Sequence, residues 1–356
     1  MPSQYGAKPS GVARTTFSLL ERLVATGTHD YVLRSAWEAD DLPDALRHGV
    51  GLIPIARPRF IITDMIRQAI LMPRLCRRIG VDIIWNVDPF GAALGGRGRV
   101  TTVHDLFYRH DGISGLRSRM TTALCYRLAL RGSTQVVAIS AATARDLGEA
   151  FPHIADRLSV ITNDATVNEA GDGALPREIA GRYVLIVGNG TANKNFGVVV
   201  AALSRLATQG QALTLVHVGE DESGMLAHAM VRANPAPPLI KLSRIDDARL
   251  AALYTHAHCL VVPSLREGFC LPILEAQALG CPVIASNRSV MPEVAGEGAL
   301  YFDPKDPADL AMQIERLGAD PALRDTLIAR GRRNRRRFSW ERSAQAYDRL
   351  FSALAS

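Results

Sequence analysis

The chain has 356 residues, 47% of them hydrophobic, and its 41 Lys and Arg against 35 Asp and Glu give a formal charge of +6. That is enough apolar material for two ordinary domains, and so modest a basic excess implies attraction to anions without choosing among phosphate, nucleic acid and acidic lipid. No segment reaches the roughly 18 uninterrupted apolar residues of a membrane-spanning helix, MPSQYGAKPSG carries no signal core, and five scattered cysteines without a C-x-x-C pair argue against a disulfide framework, so a cytoplasmic protein with reduced thiols is expected.

In chain order, GVARTTFSLLERLVATG (11–27) reads as a loop running into a helix. MIRQAILMPRLCRRIG (65–80) interleaves Arg67, Arg74, Arg77 and Arg78 with Ile, Leu and Met; core packing on a sheet and an interfacial helix both fit this pattern. VDIIWNV and RVTTVHD are strands, MTTALCYRLALRG a helix, TQVVAIS a strand, ATARDLGEAF a helix and LSVIT a strand. NDATVNEAGDGALPREIAGR (163–182) has linker composition. A second series follows: strand YVLIVGNG, helix NFGVVVAALSRLA, strands ALTLVHVG and LIKLS, helix DARLAALYTHA, strand CLVVP, helix PILEAQALG, strand CPVIAS and a helical tail. The pattern predicts two doubly wound parallel-sheet domains, 1–170 and 171–338, with the last helix (339–356) crossing back onto the first.

In such sheets ligands bind outside the carboxyl ends of the strands, which directs attention to three loops. The loop after YVLIVG places Gly188 and Gly190, which permit close backbone approach, ahead of Lys194 at a helix start; a cation beside unpaired amides suits phosphate, although a solvated turn lysine is the better account of this loop taken alone. Neither G-x-x-x-x-G-K-[ST] nor G-x-G-x-x-G follows a strand, which argues against a P-loop ATPase and an ordinary dinucleotide enzyme. LREGFCLPILEA (265–276) brackets Gly268, Phe269, Cys270 and Leu271 with Glu267 and Glu275. Pro272 suits the first helical position and Glu275 the first turn, so both glutamates could be capping groups. Two carboxylates beside a phosphate would repel it unless they accept from hydroxyls, and a nucleotide sugar offers both diphosphate and hydroxyls. The third loop holds His104-Asp105, where His104 either donates to a sugar hydroxyl or completes a buried polar network, and Asp105 orients it or the local backbone.

EGFCLPILEAQALGCPVIASNRSVMPEVAG, with NKNFG, VHDL and AISAATARDL before it, resembles the retaining glycosyltransferases of family 4, which have the GT-B fold, two Rossmann-like domains facing across a cleft. The resemblance spans nearly the whole chain and implies that Glu275 holds the donor ribose, Glu267 approaches the hexose, Lys194 and the amides of Phe269 to Leu271 hold diphosphate, His104 contacts the transferred sugar, and the Ser10-Gly11-Val12 loop lies under the phosphates. It implies a front-face displacement without a metal or other cofactor, in which the departing phosphate helps take the acceptor proton.

Three differences stand out. The family's Pro-Arg-Lys-Asn is here Ala192-Asn193-Lys194-Asn195, leaving Lys194 as the side-chain cation of that loop; Asn-Gly-Val is Asn163-Asp164-Ala165; and the first strand that normally precedes the Gly loop is expected to be absent or short. The five arginines of Arg332 to Arg337 read first as a solvated helix terminus, second as an acidic-membrane contact and a distant third as a nucleic-acid contact, and no nucleic-acid partner is expected. His256 and His258 have no further ligand at zinc spacing, and Cys270 is a small residue rather than a nucleophile. The expectation is a mannosyltransferase-like enzyme using GDP-mannose and a saccharide or polyprenyl-linked saccharide acceptor, at the inner face of the cytoplasmic membrane. A GT-B sugar-nucleotide epimerase and a non-catalytic sugar-nucleotide or anionic-surface binding protein are the alternatives.

Overall fold

The computed structural model describes residues 11–55, 61–109, 116–166, 175–179 and 181–356. It divides into two compact units, Met1–Asp164 with Ser339–Ser356, and Ala165–Phe338.

The first unit begins with α1 (Gly11–Thr26), β1 (Val32–Ser35), α2 (Asp44–Gly49), β2 (Gly51–Pro54) and α3 (Ile61–Ile79). It continues through β3 (Ile83–Asn86), β4 (Gly98–Val103), α4 (Leu116–Gly132), β5 (Gln135–Ala138), α5 (Ala141–Ala150) and β6 (Leu158–Val160). β1 and β2 pair in parallel, and β3-β4-β5-β6 form a four-stranded parallel sheet. Both strands at the centre of this sheet are covered: Val100 and Val103 of β4 and Val136 and Val137 of β5 are all inaccessible to solvent. α13 (Trp340–Ala355), capped by Ser339, which accepts from Arg342 N–H, belongs to this unit. Its Trp340, Tyr347 and Phe351 pack with Leu19 and Leu23 of α1 over Val100 and Val137, and the Tyr347 hydroxyl lies 2.7 Å from Thr102 Oγ1.

The second unit runs β7 (Tyr183–Val187), α6 (Phe196–Thr208), β8 (Thr214–Val218), α7 (Met225–Arg232), β9 (Leu239–Leu242), α8 (Asp247–His256), β10 (Cys259–Val262), α9 (Leu271–Ala278), β11 (Val283–Ser286), α10 (Met291–Ala295), β12 (Ala299–Phe302), α11 (Pro307–Ala319) and α12 (Pro321–Arg335). Its six strands are parallel in the order β12-β11-β10-β7-β8-β9. The chain leaves β7 toward one edge, then returns to β7's other side with β10, so the winding reverses between β7 and β10. The carboxyl ends of those two strands are the topological switch point at which open α/β sheets bind ligands.

The fold corrects several expectations. The tail after β11 is not all helical, because GALYF supplies the edge strand β12 before α11 begins. Gly11 opens helix α1 rather than lying in a loop, and both Ser10 and any strand before it fall outside the described residues. α3 is divided between both expected roles: Met72 and Cys76 pack with Ile84 and Ala92, while Ile70, Leu71 and Ile79 are exposed. In the arginine run, Asn334 turns inward, donating 2.8 Å to Gln277 Oε1 and 2.7 Å to Val294 O, and Arg332, Arg333, Arg336 and Arg337 face solvent. All five cysteines are buried free thiols.

Candidate functional site

At the switch point, the loops after β7 and β10 are stitched together by short polar side chains. Lys194 ends a 3-10 turn, Ala192–Lys194, and Asn195 follows it in the left-handed region at φ 54°. Asn195 tolerates that conformation as few residues do, and its amide donates to Pro263 O at 3.2 Å and Pro304 O at 2.8 Å, beyond the ends of β10 and β12. Asn193 donates to Arg266 O at 3.1 Å, and Leu265 N–H donates to Asn193 O at 2.8 Å. These bonds hold the Lys194 turn against the loop that carries Glu267.

The result is an ion pair: Lys194 Nζ lies 2.8 Å from Glu267 Oε1, with only 20% and 10% of the two side chains exposed. Ser264 Oγ donates to the same Oε1 at 2.7 Å, and Ser289, at φ 54°, accepts from Glu267 N–H and donates to Glu267 O. Burial alone would lower the Lys194 pKa, but the Glu267 charge, the neighbouring Cys270 and the Glu267 hydrogen bond outweigh it and raise the value, so the ammonium stays charged.

Gly188 abuts this pair. Its φ is 117°, and a Cβ there would lie 3.3 Å from Lys194 Nζ. The carbonyl of Gly188 accepts from His217 Nε2 at 2.9 Å, and Gly219, at φ 141°, passes so close that a Cβ would overlap that carbonyl. His217 is fully buried; burial lowers its pKa, and Nδ1 has no partner among the described residues.

The 268–271 segment closes the site. Cys270 is the N-cap of α9 at φ 73°, with no side-chain hydrogen bond capping the helix. Burial first and Glu267 second push its thiol pKa far up, so it is no thiolate nucleophile. Phe269 packs edge-on against Phe338, ring centroids 5.6 Å apart, which leaves backbone rather than its ring for a ligand. Gly268 and Leu271 flank these two at the mouth of the helix. Pro272 occupies the second helical position and Glu275 the fifth, so Glu275 lies past the first turn and is not a cap. Its Oε2 accepts from the buried Tyr254 hydroxyl at 2.6 Å, and burial, reinforced by Glu275, raises the Tyr254 pKa well above its ordinary value.

His104 and Gly11 belong to the other unit. His104 Nε2 is 2.9 Å from Val87 O; since a carbonyl only accepts, this nitrogen carries the proton, and Nδ1 of the neutral ring is an acceptor. Burial lowers the His104 pKa against the opposing influences of Val87 O and Asp88, which favours that neutral form. Donation to a sugar hydroxyl, one of the two roles open to His104 from the sequence, would require a proton on Nδ1; the neutral ring can accept from one. Asp105 orients local backbone, accepting from Phe107 N–H at 3.0 Å. His258 contacts Arg182 Nη2, and burial together with Arg182 lowers its pKa to about 4.

The residues missed in the sequence are those that support others: Asn193, Asn195, Ser264, Ser289, His217 and Tyr254. Only the two asparagines flanking Lys194 left a local signal; the rest reach the site through tertiary contact.

Residues 9–163 match the family described as Glycosyltransferase Family 4, and residues 176–334 match Glycosyl transferases group 1. The chain is 41% identical over 100 residues, 28% of its length, to the O-antigen chain mannosyltransferase B of Escherichia coli. It is 26% identical over 212 residues, 59% of its length, to the O-antigen chain mannosyltransferase RfbU of Salmonella typhimurium. These alignments span 26% and 58% of the two relatives' own lengths. Among solved structures, sucrose-phosphate synthase from Thermosynechococcus elongatus superposes with a TM-score of 0.78 at 22% identity, covering 99% of this chain and 98% of that one. Together these findings place the chain in the GT-B class of glycosyltransferase folds.

Proposed function

We propose that the protein is a retaining glycosyltransferase that moves a hexose, preferably mannose from GDP-mannose, onto a saccharide or polyprenyl-linked saccharide acceptor. The observation that carries this reading is the meeting of Lys194 and Glu267 at the β7/β10 switch point, a cation and a hydroxyl acceptor side by side. Lys194 and the amides of Phe269 to Leu271 hold the diphosphate, Gly188 admits it close to the backbone, Glu267 accepts from the hexose and Glu275 from the ribose. In the reaction the acceptor oxygen bonds to the anomeric carbon as that carbon's bond to the phosphate oxygen breaks on the same face. The bonding pair leaves with the diphosphate, which takes the acceptor's proton. Charge on the leaving group is met by Lys194 and backbone amides, so no metal is needed. The two mannosyltransferase relatives support the choice of sugar.

A thermal-shift panel of GDP, UDP, ADP and dTDP with their hexose conjugates tests the donor. At a hundredfold excess over Kd a ligand adds about 2.7 kcal/mol of apparent stability, and GDP-mannose should give the largest shift. No response to any would overturn the reading. Acceptor-dependent nucleotide release, persisting in EDTA with retained anomeric configuration in the product, separates transfer from epimerisation and from non-catalytic binding.

A lipid-linked acceptor would meet the protein at the exposed residues of α3 and α4. α4 contains no acidic residue and exposes Met120, Leu124 and Leu128 at successive four-residue steps beside Arg127 and Arg131; α3 adds exposed Arg74, Arg77 and Arg78. Co-sedimentation with vesicles rich in anionic lipid, weakened by Leu124→Asp and absent with purely zwitterionic vesicles, is the expected result.

A further inference from the structure

We infer that the Lys194–Glu267 pair is a specificity-determining element that makes the site favour a nucleoside diphosphate-hexose over the free nucleoside diphosphate that remains after transfer; this rests on the donor-site reading above. The geometry gives each member of the pair a second task. Glu267 Oε1 is occupied twice, by Lys194 Nζ at 2.8 Å and Ser264 Oγ at 2.7 Å, whereas Oε2 has no hydrogen-bond partner among the described residues. Lys194 Nζ has Glu267 as its partner and lies beside Gly188, where a Cβ would stand 3.3 Å from it. The carboxylate thus already fills part of the coordination that a phosphate would claim.

An incoming diphosphate must share or displace that carboxylate, and in a site this shielded the competition is stronger than at an open surface. A donor carrying its hexose compensates, because a sugar hydroxyl donates to Glu267 and takes over from the lysine. A free nucleoside diphosphate brings the same phosphates and no hydroxyl for Glu267. It therefore meets an uncompensated negative charge at close range. The same carboxylate would hasten departure of the product, since the nucleotide loses its compensation when the hexose leaves.

The test is calorimetric titration of the full chain with GDP and GDP-mannose, and with the UDP, ADP and dTDP pairs if these bind instead, in wild type and Glu267→Gln. The near-isosteric amide keeps a hydrogen-bonding group while removing the charge. Glu267→Gln should tighten the free diphosphate about tenfold, the equivalent of about 1.4 kcal/mol, and weaken the hexose conjugate, collapsing the preference. Ser264→Ala, which loosens the carboxylate without neutralising it, should shift the preference in the same direction by a smaller factor. If Glu267→Gln does not fold, Glu267→Asp, which retracts the carboxylate from Lys194, carries the same expectation. Free-diphosphate affinity unchanged or weakened in the variant overturns the inference while leaving the donor site standing. Wild type that binds no nucleotide overturns the donor-site reading itself, and the inference with it.

Discussion

The two units build parallel sheets from similar apolar strands, yet their strand ends are finished in different chemistry. In Ala165–Phe338 the loops beyond β7, β8, β10 and β11 rely on charge and on unusual backbone: Gly188 and Gly219 at strongly positive φ, Asn195, Cys270 and Ser289 in left-handed conformations, and a shielded Lys–Glu pair. In the first unit the buried network at β3 and β4 is built from neutral groups. Asn86 bonds Ala92 at both N–H and C=O and reaches Thr101, Ser133 donates to Thr101, and Trp85 and Tyr347 converge on Thr102. Neutral networks of this kind fix a core, whereas backbone held in sparsely populated conformations clusters at functional sites.

That contrast can be broken most forcefully at Lys194. Lys194→Ala removes the cation and leaves Glu267 with only Ser264; kcat/KM for sugar transfer should fall about 10²- to 10³-fold, as when a single stabilising donor is lost from an active site. Wild-type turnover in this variant would show that charge at the switch point is incidental. Next is Gly219→Ala, where a Cβ would overlap the Gly188 carbonyl at a φ that side chains rarely adopt; a loss of about 2–4 kcal/mol in urea unfolding is expected, with nucleotide binding impaired because Gly188 must move.

Acidification comes third. His104, His217 and His258 all have pKa values lowered by burial, His258 to about 4. Below pH 6.5 the unfolded chain binds protons that the folded one refuses, so stability is full above that pH and is lost as pH falls through about 6.5 toward 4. His258 alone should account for about 2–3 kcal/mol of that loss, and His258→Gln should flatten the melting-temperature profile in this window. The smallest effects sharpen the comparison between units. Tyr254→Phe deletes a hydroxyl bonded to the Glu275 carboxylate and should cost about 1.5–3 kcal/mol while raising KM for the donor. Tyr347→Phe deletes a neutral bond to Thr102 and should cost about 1 kcal/mol with donor KM unchanged.

Much of this architecture was legible in the order of residues. Runs such as CLVVP and YVLIVG can bury both faces only within a covered parallel sheet, and the alternation with amphipathic helices identified two such sheets. Lys194 and Glu267 were recognisable as candidates because each sits just past a strand. Local pattern failed where the deciding contact was remote in sequence. GALYF becomes β12 because it pairs with β11, not through a propensity stronger than that of its neighbours. Glu275 looked like a cap because Pro272 suggested where the helix began; the helix begins one residue earlier, and a tyrosine from α8 takes the carboxylate.

Apart from β1, β2 and β12, the sequence by itself therefore determined which segments are the strands of the two large sheets and which side chains stand past their ends, since hydrophobic periodicity and turn residues act over a few positions. Tertiary structure alone decided that β10 returns to the side of β7 opposite β8, and so that Lys194 and Glu267, 73 positions apart in the chain, become an ion pair rather than two separate solvated charges. An ion pair needs its partners within about 4 Å, and only the winding of the sheet brings them there.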